Sequence, residues 1–250
     1  MSESKIYDVP EAFAQRALLD AAQFEAMYEQ SVTDPAGFWA EQAEIFLSWD
    51  THWDTVLDWD YSKGHIRWFE GGQLNACYNC VDRHLETRGD QVALIWEGDD
   101  PANDDRITYR ELHEHVCRMA NVLKSRNVRK GDRVCIYMPM IPEAVYAMLA
   151  CARIGAVHSV VFGGFSPDSI KDRILDSDCH TVITADEGVR GGRTVPLKGN
   201  VDKALQSCPN VHSVITVRHT SGNIDWQDGR DIWYHDAAAG VSSDCPVEPM

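Results

Sequence analysis

The amino-acid sequence predicts an α/β fold, in which a mostly parallel sheet is covered by helices on both faces and preceded by a helical arm. From residue 133 onward, short apolar segments alternate with segments of helical period, as successive strand–helix–strand units require. The segment Arg133–Met138 is apolar at successive positions, which is typical of a strand buried on both faces. Residues that start helices stand where the helical segments begin, as at Ser166 and Pro167.

We expect residues 1–66 to form a helical and irregular amino-terminal arm, and residues 67–250 to form a partial α/β subdomain. Residues 10–30 and 34–49 carry apolar side chains at roughly helical spacing, with prolines near both starts, and are interpreted as packing helices. Residues 49–68 are crowded with aromatics and Asp and follow neither period. A carbohydrate- or base-stacking platform is one interpretation, but an irregular arm that anchors aromatic side chains on a domain surface is favoured.

Helix and strand signals alternate from residue 67 to the middle of the chain. A glycine turn leads into a helix that Asn75 can cap, and residues 91–96 form a strand followed by a solvated, hairpin-like loop over 97–105. Thr108 and Glu111 have the spacing of a capping box, in which each side chain satisfies a backbone donor at the helix start. The predicted inward stripe of this helix is Tyr109, Leu112, Val116, Met119, Ala120 and Leu123.

The remaining elements complete the alternation. From Pro142 a nearly continuous apolar segment predicts a helix buried on more than one side. Further helices are predicted from Pro167 and over 197–206, and further strands over Val157–Phe162, 180–184 and 213–218. Residues 222–250 are interpreted as loop with a short structured piece at Asp231. Ligands of such folds bind beyond the carboxyl ends of the strands, so the loops there are the expected place for a site.

Composition is that of an acidic soluble protein. Hydrophobic residues make up 44% and charged residues 25%, and the formal net charge is −16. A nucleic-acid partner is not expected, because polyanion binding depends on clustered Lys and Arg. A membrane partner is not expected either, since no apolar run approaches the ~18 residues of a spanning helix. The first residues show no apolar segment behind a basic end, so no secretory signal is expected and the predicted location is cytoplasmic.

The eight cysteines are expected to be reduced thiols, as is usual in the cytosol. The one close pair, Cys77 and Cys80, is followed by His84, which makes a zinc or redox site one interpretation. A structural zinc site needs four ligands, and no second cysteine pair is present. Cys77 also falls on an apolar helical face with Val81 and Leu85. The pair is therefore interpreted as packing residues, and no metal site is predicted.

The loop Arg190-Gly191-Gly192-Arg193 is the more specific of two candidate binding loops. Two guanidinium groups around a glycine pair suit a small anionic phosphate in this otherwise acidic chain. The alternative is a solvated loop whose arginines pair with Asp186 or Glu187, and the residues alone give the two interpretations similar weight. Lys198 fits either interpretation.

Gly163 and Gly164 form the second candidate loop, directly after a predicted strand. They indicate either a tight strand-to-helix turn or a path along which a thin ligand chain can pass close to the backbone. They are not a dinucleotide-binding fingerprint, and no Gly-Lys-Ser or Gly-Lys-Thr phosphate loop occurs in the chain. Spacing alone favours the turn.

The histidines do not form a catalytic group in the sequence. None of the ten lies beside a Ser or Cys with the surroundings of an activated nucleophile. His84, His113 and His115 fall on predicted helices, His158 lies within an apolar strand, and His52 lies among aromatics. Each is interpreted as structural, and no catalytic residue is predicted.

Several separate motifs resemble one known family. They lie at Phe38-Trp39, 68–75, 107–112, 134–142, 154–166 and 184–193. Together they closely resemble the AMP-forming acetyl-CoA synthetases of the adenylate-forming superfamily, and the match runs from about residue 35 onward. The fold implied is the large amino-terminal domain of an adenylate-forming enzyme, of which this chain resembles a part.

The resemblance implies a two-step ligase. Acetate and ATP give acetyl-adenylate and pyrophosphate, and the thiol of CoA then displaces AMP. CoA, acetate and ATP are thus the implied small-molecule partners, with Mg²⁺. The resemblance also implies that Arg190-Gly191-Gly192-Arg193 contacts the nucleotide end of CoA, and that Gly163 and Gly164 lie near the pantetheine tunnel.

Other parts of the family pattern do not occur in this chain. They are the Ser/Thr/Gly-rich loop ending in Lys, the acetate pocket, the ribose-binding Asp, the hinge, and the small carboxy-terminal domain with the catalytic Lys. The resemblance therefore implies an amino-terminal fragment that is inactive alone, binds no cofactor by itself and pairs with the remainder of its own chain. Two alternatives stay open: a ligase for propionate or another short-chain acid, and a stand-alone CoA-binding or interaction module.

Overall fold

The structure, a computed structural model, describes residues 7–250 and divides into two units, the first ending at Gly72 and the second spanning Gln73–Met250. The expectation about a secretory signal concerns residues 1–6, which lie outside the described residues. Over residues 7–250, no helix combines the length and the apolar character needed to cross a bilayer.

Three helices begin the first unit: α1 (Glu11–Ala14), α2 (Ala21–Thr33) and α3 (Pro35–Phe46). A continuous helix over 10–30 is therefore wrong. The chain starts a new helix at Asp20, whose carboxylate accepts from the backbone N of Gln23 while the Gln23 side chain accepts from the backbone N of Asp20. The packing role expected for the apolar residues of this segment is also wrong within this chain, since Phe24 is 62% exposed and Leu18 98% exposed.

An antiparallel hairpin follows, formed by β1 (Thr55–Asp60) and β2 (His65–Glu70). The irregular arm expected over 49–68 is therefore wrong in its second half. A two-stranded hairpin buries little, so its residues need not alternate between apolar and polar, and the strand signal is weak. Gly64, with φ +64°, closes the connection. The boundary placed between residues 66 and 67 falls inside this hairpin, and the division into 1–66 and 67–250 stays a prediction.

The second unit opens with short helical turns and a hairpin. Its first elements are α4 (Ala76–Cys80), a 3₁₀ turn (Asp82–His84), α5 (Leu85–Arg88), β3 (Val92–Glu97) and β4 (Asp104–Thr108). The Asn75 cap is confirmed, because its side chain accepts from the backbone N of Tyr78. A single helical face through Cys77 and Leu85 is wrong, since the 3₁₀ turn separates the two helices. The strand β4, which pairs antiparallel with β3, was not predicted.

The long helix α6 (Tyr109–Ser125) begins at the predicted capping box, with Thr108 and Glu111 each accepting from the other's backbone N. The following elements are β5 (Arg133–Met138), α7 (Pro142–Arg153), β6 (Val157–Phe162), α8 (Pro167–Ser177), β7 (Thr181–Ala185), β8 (Gly188–Arg190), β9 (Arg193–Val195), α9 (Leu197–Leu205), β10 (Ser213–Val217), β11 (Asp231–Trp233) and α10 (Tyr234–Ala239).

A five-stranded, all-parallel sheet forms the core, in the order β11-β10-β7-β5-β6, and helices flank it. The predicted fold class is confirmed. Every residue of β7 and β10 is buried, which explains why both were recognisable as apolar runs. The edge strand β6 differs, because Val160 and Phe162 on one of its faces are about half exposed, at 48% and 50%.

Strand register brings the candidate loops to one edge of the sheet. Met138 at the end of β5 pairs with Phe162 at the end of β6, and Tyr137 pairs with Thr184 in β7. The loops that leave these three strands therefore open side by side, as expected for a ligand site in this fold class.

Candidate functional site

A cavity of about 850 Å³ lies at the carboxyl edge of the sheet. It is formed by the loops after β5, β6, β7 and β10, together with the loop between β3 and β4. Its lining includes Trp96, Asp99, Asp100, Met138, Met140, Val160, Phe162, Gly163, Gly164, Val189, Arg190, Leu197, His219 and Thr220. The volume and the mixture of apolar walls with a few polar groups are typical of a small-molecule site.

Residues 188–195, here called the arginine hairpin, consist of β8, β9 and the turn between them. Arg190 pairs with Arg193 across the hairpin, directly next to the turn. The turn glycines Gly191 and Gly192 have φ values of +55° and +72°, as a type I′ connection requires. Cross-strand partners stand only ~5 Å apart at Cβ, so the turn places two positive side chains next to each other.

Neither arginine is neutralised by a carboxylate in the part of the chain that the structure describes. Within residues 7–250, Arg190 and Arg193 take part in no ion pair. Pairing with Asp186 or Glu187, the alternative considered from the sequence, is wrong: Asp186 accepts from backbone N–H groups, and Glu187 accepts from the Thr220 hydroxyl. The Arg190 guanidinium instead lies 5.2 Å from the ring centroid of Phe162.

Lys198 does not join the arginines. Its side chain is fully buried, and its Nζ lies 2.8 Å from Asp202 and 2.9 Å from Asp231. Burial raises the pKa of Asp231, but hydrogen bonds from Arg230, the Gln227 backbone and Lys198 outweigh burial and lower the pKa below its usual range. Lys198 therefore belongs to a buried ion network that connects α9 with β11, and it does not line the cavity.

Gly163 and Gly164 are explained by packing within the protein. A Cβ on Gly163 would lie 2.9 Å from the backbone oxygen of Met138. A Cβ on Gly164 would lie 2.8 Å from the Phe162 ring and 3.2 Å from Nη1 of Arg190. The structure thus supports the tight turn that spacing favoured, and both glycines also line the cavity that Arg190 lines.

The acidic loop between β3 and β4 closes another side of the cavity. Asp99 Oδ2 accepts a long hydrogen bond, 3.4 Å, from the backbone N of Gly192. Trp96 Nε1 donates to the backbone oxygen of Met140 at 2.7 Å, which holds the loop near the end of β5. Sequence reasoning missed Trp96, Asp99 and His219 as lining residues. No local motif indicates them, because they come from different loops.

Among the histidines of the second unit, His219 alone lines this cavity. His113 lies 3.3 Å from the carboxylate of Asp82, which also forms two hydrogen bonds with Arg153. Hydrogen bonds with Asp82 and Cys117, acting against burial, raise the pKa of His113 to about 9. Burial raises the pKa of Asp82, but the bonds from His113 and Arg153 outweigh burial and lower the pKa to about 2. This charged cluster joins the 3₁₀ turn, α6 and α7 and has a structural role.

Three buried cysteines are poor nucleophiles. Burial raises the pKa values of Cys77, Cys135 and Cys151 to about 12, so their thiols stay protonated at neutral pH. Cys80, the partner of Cys77 in the sequence pattern, is exposed while Cys77 is buried. Among residues 7–250, no group of three or more His, Cys, Asp or Glu side chains is arranged to hold a metal ion.

Comparisons with known proteins find similar sequences over the whole chain. The family model described as "AMP-binding enzyme" matches residues 81–244, and one described as "Acetyl-coenzyme A synthetase N-terminus" matches residues 24–80. Two curated relatives, acetyl-coenzyme A synthetase from Alkalilimnicola ehrlichii and acetyl-coenzyme A synthetase 2 from Pseudomonas aeruginosa, are each 63% identical over 100% of this chain and 39% of their own length. The chain thus spans about two fifths of these relatives.

A solved structure shares the fold. Acetoacetyl-CoA synthetase from Streptomyces lividans superposes with a TM-score of 0.81 and 26% identity, over 91% of this chain and 34% of that chain. The similarity therefore covers nearly the whole of the present chain but only a third of the solved one.

Proposed function

The chain belongs to the AMP-binding enzyme family, and we propose that it forms the amino-terminal part of an acetate–CoA ligase. In the proposed reaction, an acetate oxygen attacks the α-phosphate of ATP and pyrophosphate leaves. The thiol of CoA then attacks the acyl carbon of acetyl-adenylate, loses its proton and displaces AMP. ATP, acetate and CoA are the proposed substrates, and the proposed setting is cytoplasmic.

The part of this chain in that reaction is to bind CoA. We assign the phosphates at the nucleotide end of CoA to Arg190 and Arg193, since both guanidinium groups have no ion-pair partner within residues 7–250 and stand at a glycine turn that admits a bulky anion. The backbone N–H groups of Gly191 and Gly192 belong to the same turn. Gly163 and Gly164 are proposed to border the pantetheine arm, because they line the cavity that begins beside Arg190.

The observation that carries this proposal is the combination of two arginines, which no carboxylate of residues 7–250 neutralises, with a largely apolar cavity in a chain of formal charge −16. CoA combines phosphates at one end with a thin, largely apolar arm at the other, so it matches both features at once. No residue of this chain is assigned to ATP, acetate or Mg²⁺. We expect residues 1–250 alone to catalyse neither adenylate formation nor thioester formation.

The test uses a complete ligase that contains this chain. Arg190→Ala and Arg193→Ala each remove a charge-assisted contact worth ~1.5–3 kcal/mol, which corresponds to a rise of ~10- to 100-fold in KM for CoA. Acetate-dependent exchange of pyrophosphate into ATP does not involve CoA and is expected to change less than threefold. The control is Arg129→Ala, which removes an exposed arginine just before β5, at the opposite edge of the sheet.

Loss of pyrophosphate exchange in either hairpin variant, with CoA saturation unchanged, would contradict the proposal. Replacing acetate by propionate in the same assay distinguishes a ligase for longer acids, which is the nearest alternative. Tight CoA binding by a protein that has no exchange activity with any short acid would favour the stand-alone binding module.

A further inference from the structure

Asp186 is a buried carboxylate that the proposed chemistry leaves unused. It directly follows β7 and is 0% exposed. Its Oδ1 accepts hydrogen bonds from the backbone N of Glu187 at 2.7 Å, His219 at 2.9 Å and Thr220 at 3.3 Å. Its Oδ2 has no hydrogen-bond partner within residues 7–250. Burial of a carboxylate is costly, so the three bonds at Oδ1 are the contacts that compensate for it.

The donors belong to two loops on the wall of the cavity. Glu187 leads directly into the arginine hairpin, whereas His219 and Thr220 follow β10 and line the cavity. A second contact crosses the same gap, because the Thr220 hydroxyl donates to Glu187 Oε2 at 2.6 Å. A backbone hydrogen bond from Asp186 N to the oxygen of Val217 also connects the loop after β7 with the end of β10. The base of the hairpin is therefore fixed to the loop after β10.

The tip of the hairpin has little else to hold it. A Cβ on Gly191 or Gly192 would meet no atom within 4 Å, so the turn stands in open space. The tip contacts are the Phe162 ring under Arg190 and the 3.4 Å bond from Gly192 N to Asp99. A hairpin with strands of three residues is not stable by itself. The orientation of the arginine hairpin therefore depends on the contacts at its base.

We propose that Asp186 is a positioning residue for CoA binding. Its Oδ1 locks the base of the arginine hairpin to the loop after β10, which fixes the position of Arg190 in the cavity wall and of its cross-strand partner Arg193. Asp186 itself touches no substrate. The inference rests on the proposed function, since it concerns the same arginines and the same ligand.

The experiment uses a complete ligase containing this chain, with two readouts. Asp186→Ala removes the shared acceptor, and we expect hydrogen exchange of the amides over 188–195 to become at least tenfold faster and KM for CoA to rise at least fivefold. Pyrophosphate exchange is expected to stay within twofold. Asp186→Asn keeps Oδ1 as an acceptor and is expected to restore both readouts to near the starting values. A merely structural role would lower Tm, but it would not raise KM for CoA while leaving pyrophosphate exchange unchanged.

A matched control is Asp132→Ala. Asp132 also accepts from a backbone N, that of Arg129 at 2.8 Å, but it lies at the amino end of β5. The Asp132→Ala variant is expected to leave amide hydrogen exchange over 188–195 and KM for CoA unchanged. Should Asp186→Ala fail to fold, the second variant is Thr220→Val, which removes the hydroxyl that donates to Glu187 and accepts from the backbone N of Gly222. It leaves the bonds at Asp186 Oδ1 in place and is expected to change both readouts two- to threefold in the same direction.

The two readouts separate this inference from the proposed function. Unchanged amide exchange over 188–195 in a folded Asp186→Ala protein, or in Thr220→Val where the first variant does not fold, overturns the positioning role. Faster amide hydrogen exchange over 188–195 with an unchanged KM for CoA also overturns the positioning role, provided that Arg190→Ala raises KM for CoA. If Arg190→Ala leaves KM unchanged as well, the proposed CoA site is what fails, and faster exchange would still support the role of Asp186 in holding the hairpin.

Discussion

Replacing Lys198 by Met tests the buried ion network, because it removes one charge while keeping much of the side-chain volume. Lys198 is fully buried, and its ammonium group bonds Asp202, Asp231 and the backbone oxygen of Asp225 at 2.8–3.0 Å. Asp231 is also fully buried at its side chain. The substitution therefore leaves a carboxylate in the interior with one cation fewer.

The expected loss in the free energy of unfolding is ~3 kcal/mol. Removing one partner of a buried ion pair costs ~3–5 kcal/mol. The lower end applies here, since Arg230 still bonds both Asp202 and Asp231 at 2.6 Å. A domain of this size loses ~2–4 °C in Tm per kcal/mol, so Tm is expected to fall by ~6–12 °C.

Equilibrium unfolding in urea, followed by tryptophan fluorescence, measures the loss. Trp226 and Trp233 stack 4.9 Å apart close to the network, so their emission reports on this part of the unit. Lys171→Met is the matched control, because Lys171 pairs with an Asp168 that is 85% exposed, and such pairs contribute only ~0–1 kcal/mol. A shift of the urea midpoint in Lys198→Met no larger than in Lys171→Met would refute the reasoning.

Two further predictions concern pH and backbone packing. The pKa of His113 is raised from 6.5 to about 9, so protonated His113 stabilises the folded state. This stabilisation is complete below pH ~6.5 and is lost as the pH rises through 9. His113→Gln is therefore expected to flatten the decline of Tm between about pH 6 and 9.5. An equally steep decline in the variant would argue against this role. Gly163→Ala is expected to cost ~1–3 kcal/mol in thermal unfolding, because its Cβ would meet the Met138 backbone oxygen at 2.9 Å. Gly199→Ala in α9, whose nearest neighbour would be Pro196 at 3.7 Å, is expected to be neutral or stabilising by ~0.5–1 kcal/mol, and equal effects in the two variants would contradict the packing argument.

Strand and helix signals were readable where one local rule acted alone. The strands β7 and β10 are buried at every residue, so their apolar runs predict them without knowledge of their neighbours. The capping box of Thr108 and Glu111 and the cap at Ser166 mark helix starts through bonds within four residues, and both were confirmed.

Prediction failed where the decisive contacts are weak or distant. The β1–β2 hairpin is largely solvated and carries no clear alternation. The short strand β4 is polar at Asp104, Asp105 and Arg106, and its first two residues fall within the loop predicted over 97–105, since only the pairing with β3 makes this segment a strand. The break between α1 and α2 depends on the competition between one capping box and a continuing helix, which spacing of apolar residues does not reveal.

The candidate site shows the same division. The two arginines and the two glycine pairs were identified from the sequence, because charge type and the absence of a side chain are local properties. That Arg190 and Gly164 lie together, and that Asp99 and His219 join them, follows only from strand register and loop placement. Lys198 lies close to the arginines in sequence, yet in the structure it is turned into a buried network.

The sequence by itself determined the α/β class, the order of the sheet-forming segments and the positive loop, since each depends on hydrophobic period, capping or charge over a few residues. The tertiary structure decided which charges are neutralised and which remain free. Lys198 pairs with Asp231, and Asp186 accepts from backbone N–H groups, so no carboxylate of residues 7–250 forms an ion pair with Arg190 or Arg193. The physical reason is that pairing and burial depend on distances between atoms, and residues far apart in the chain set those distances only once the sheet has formed.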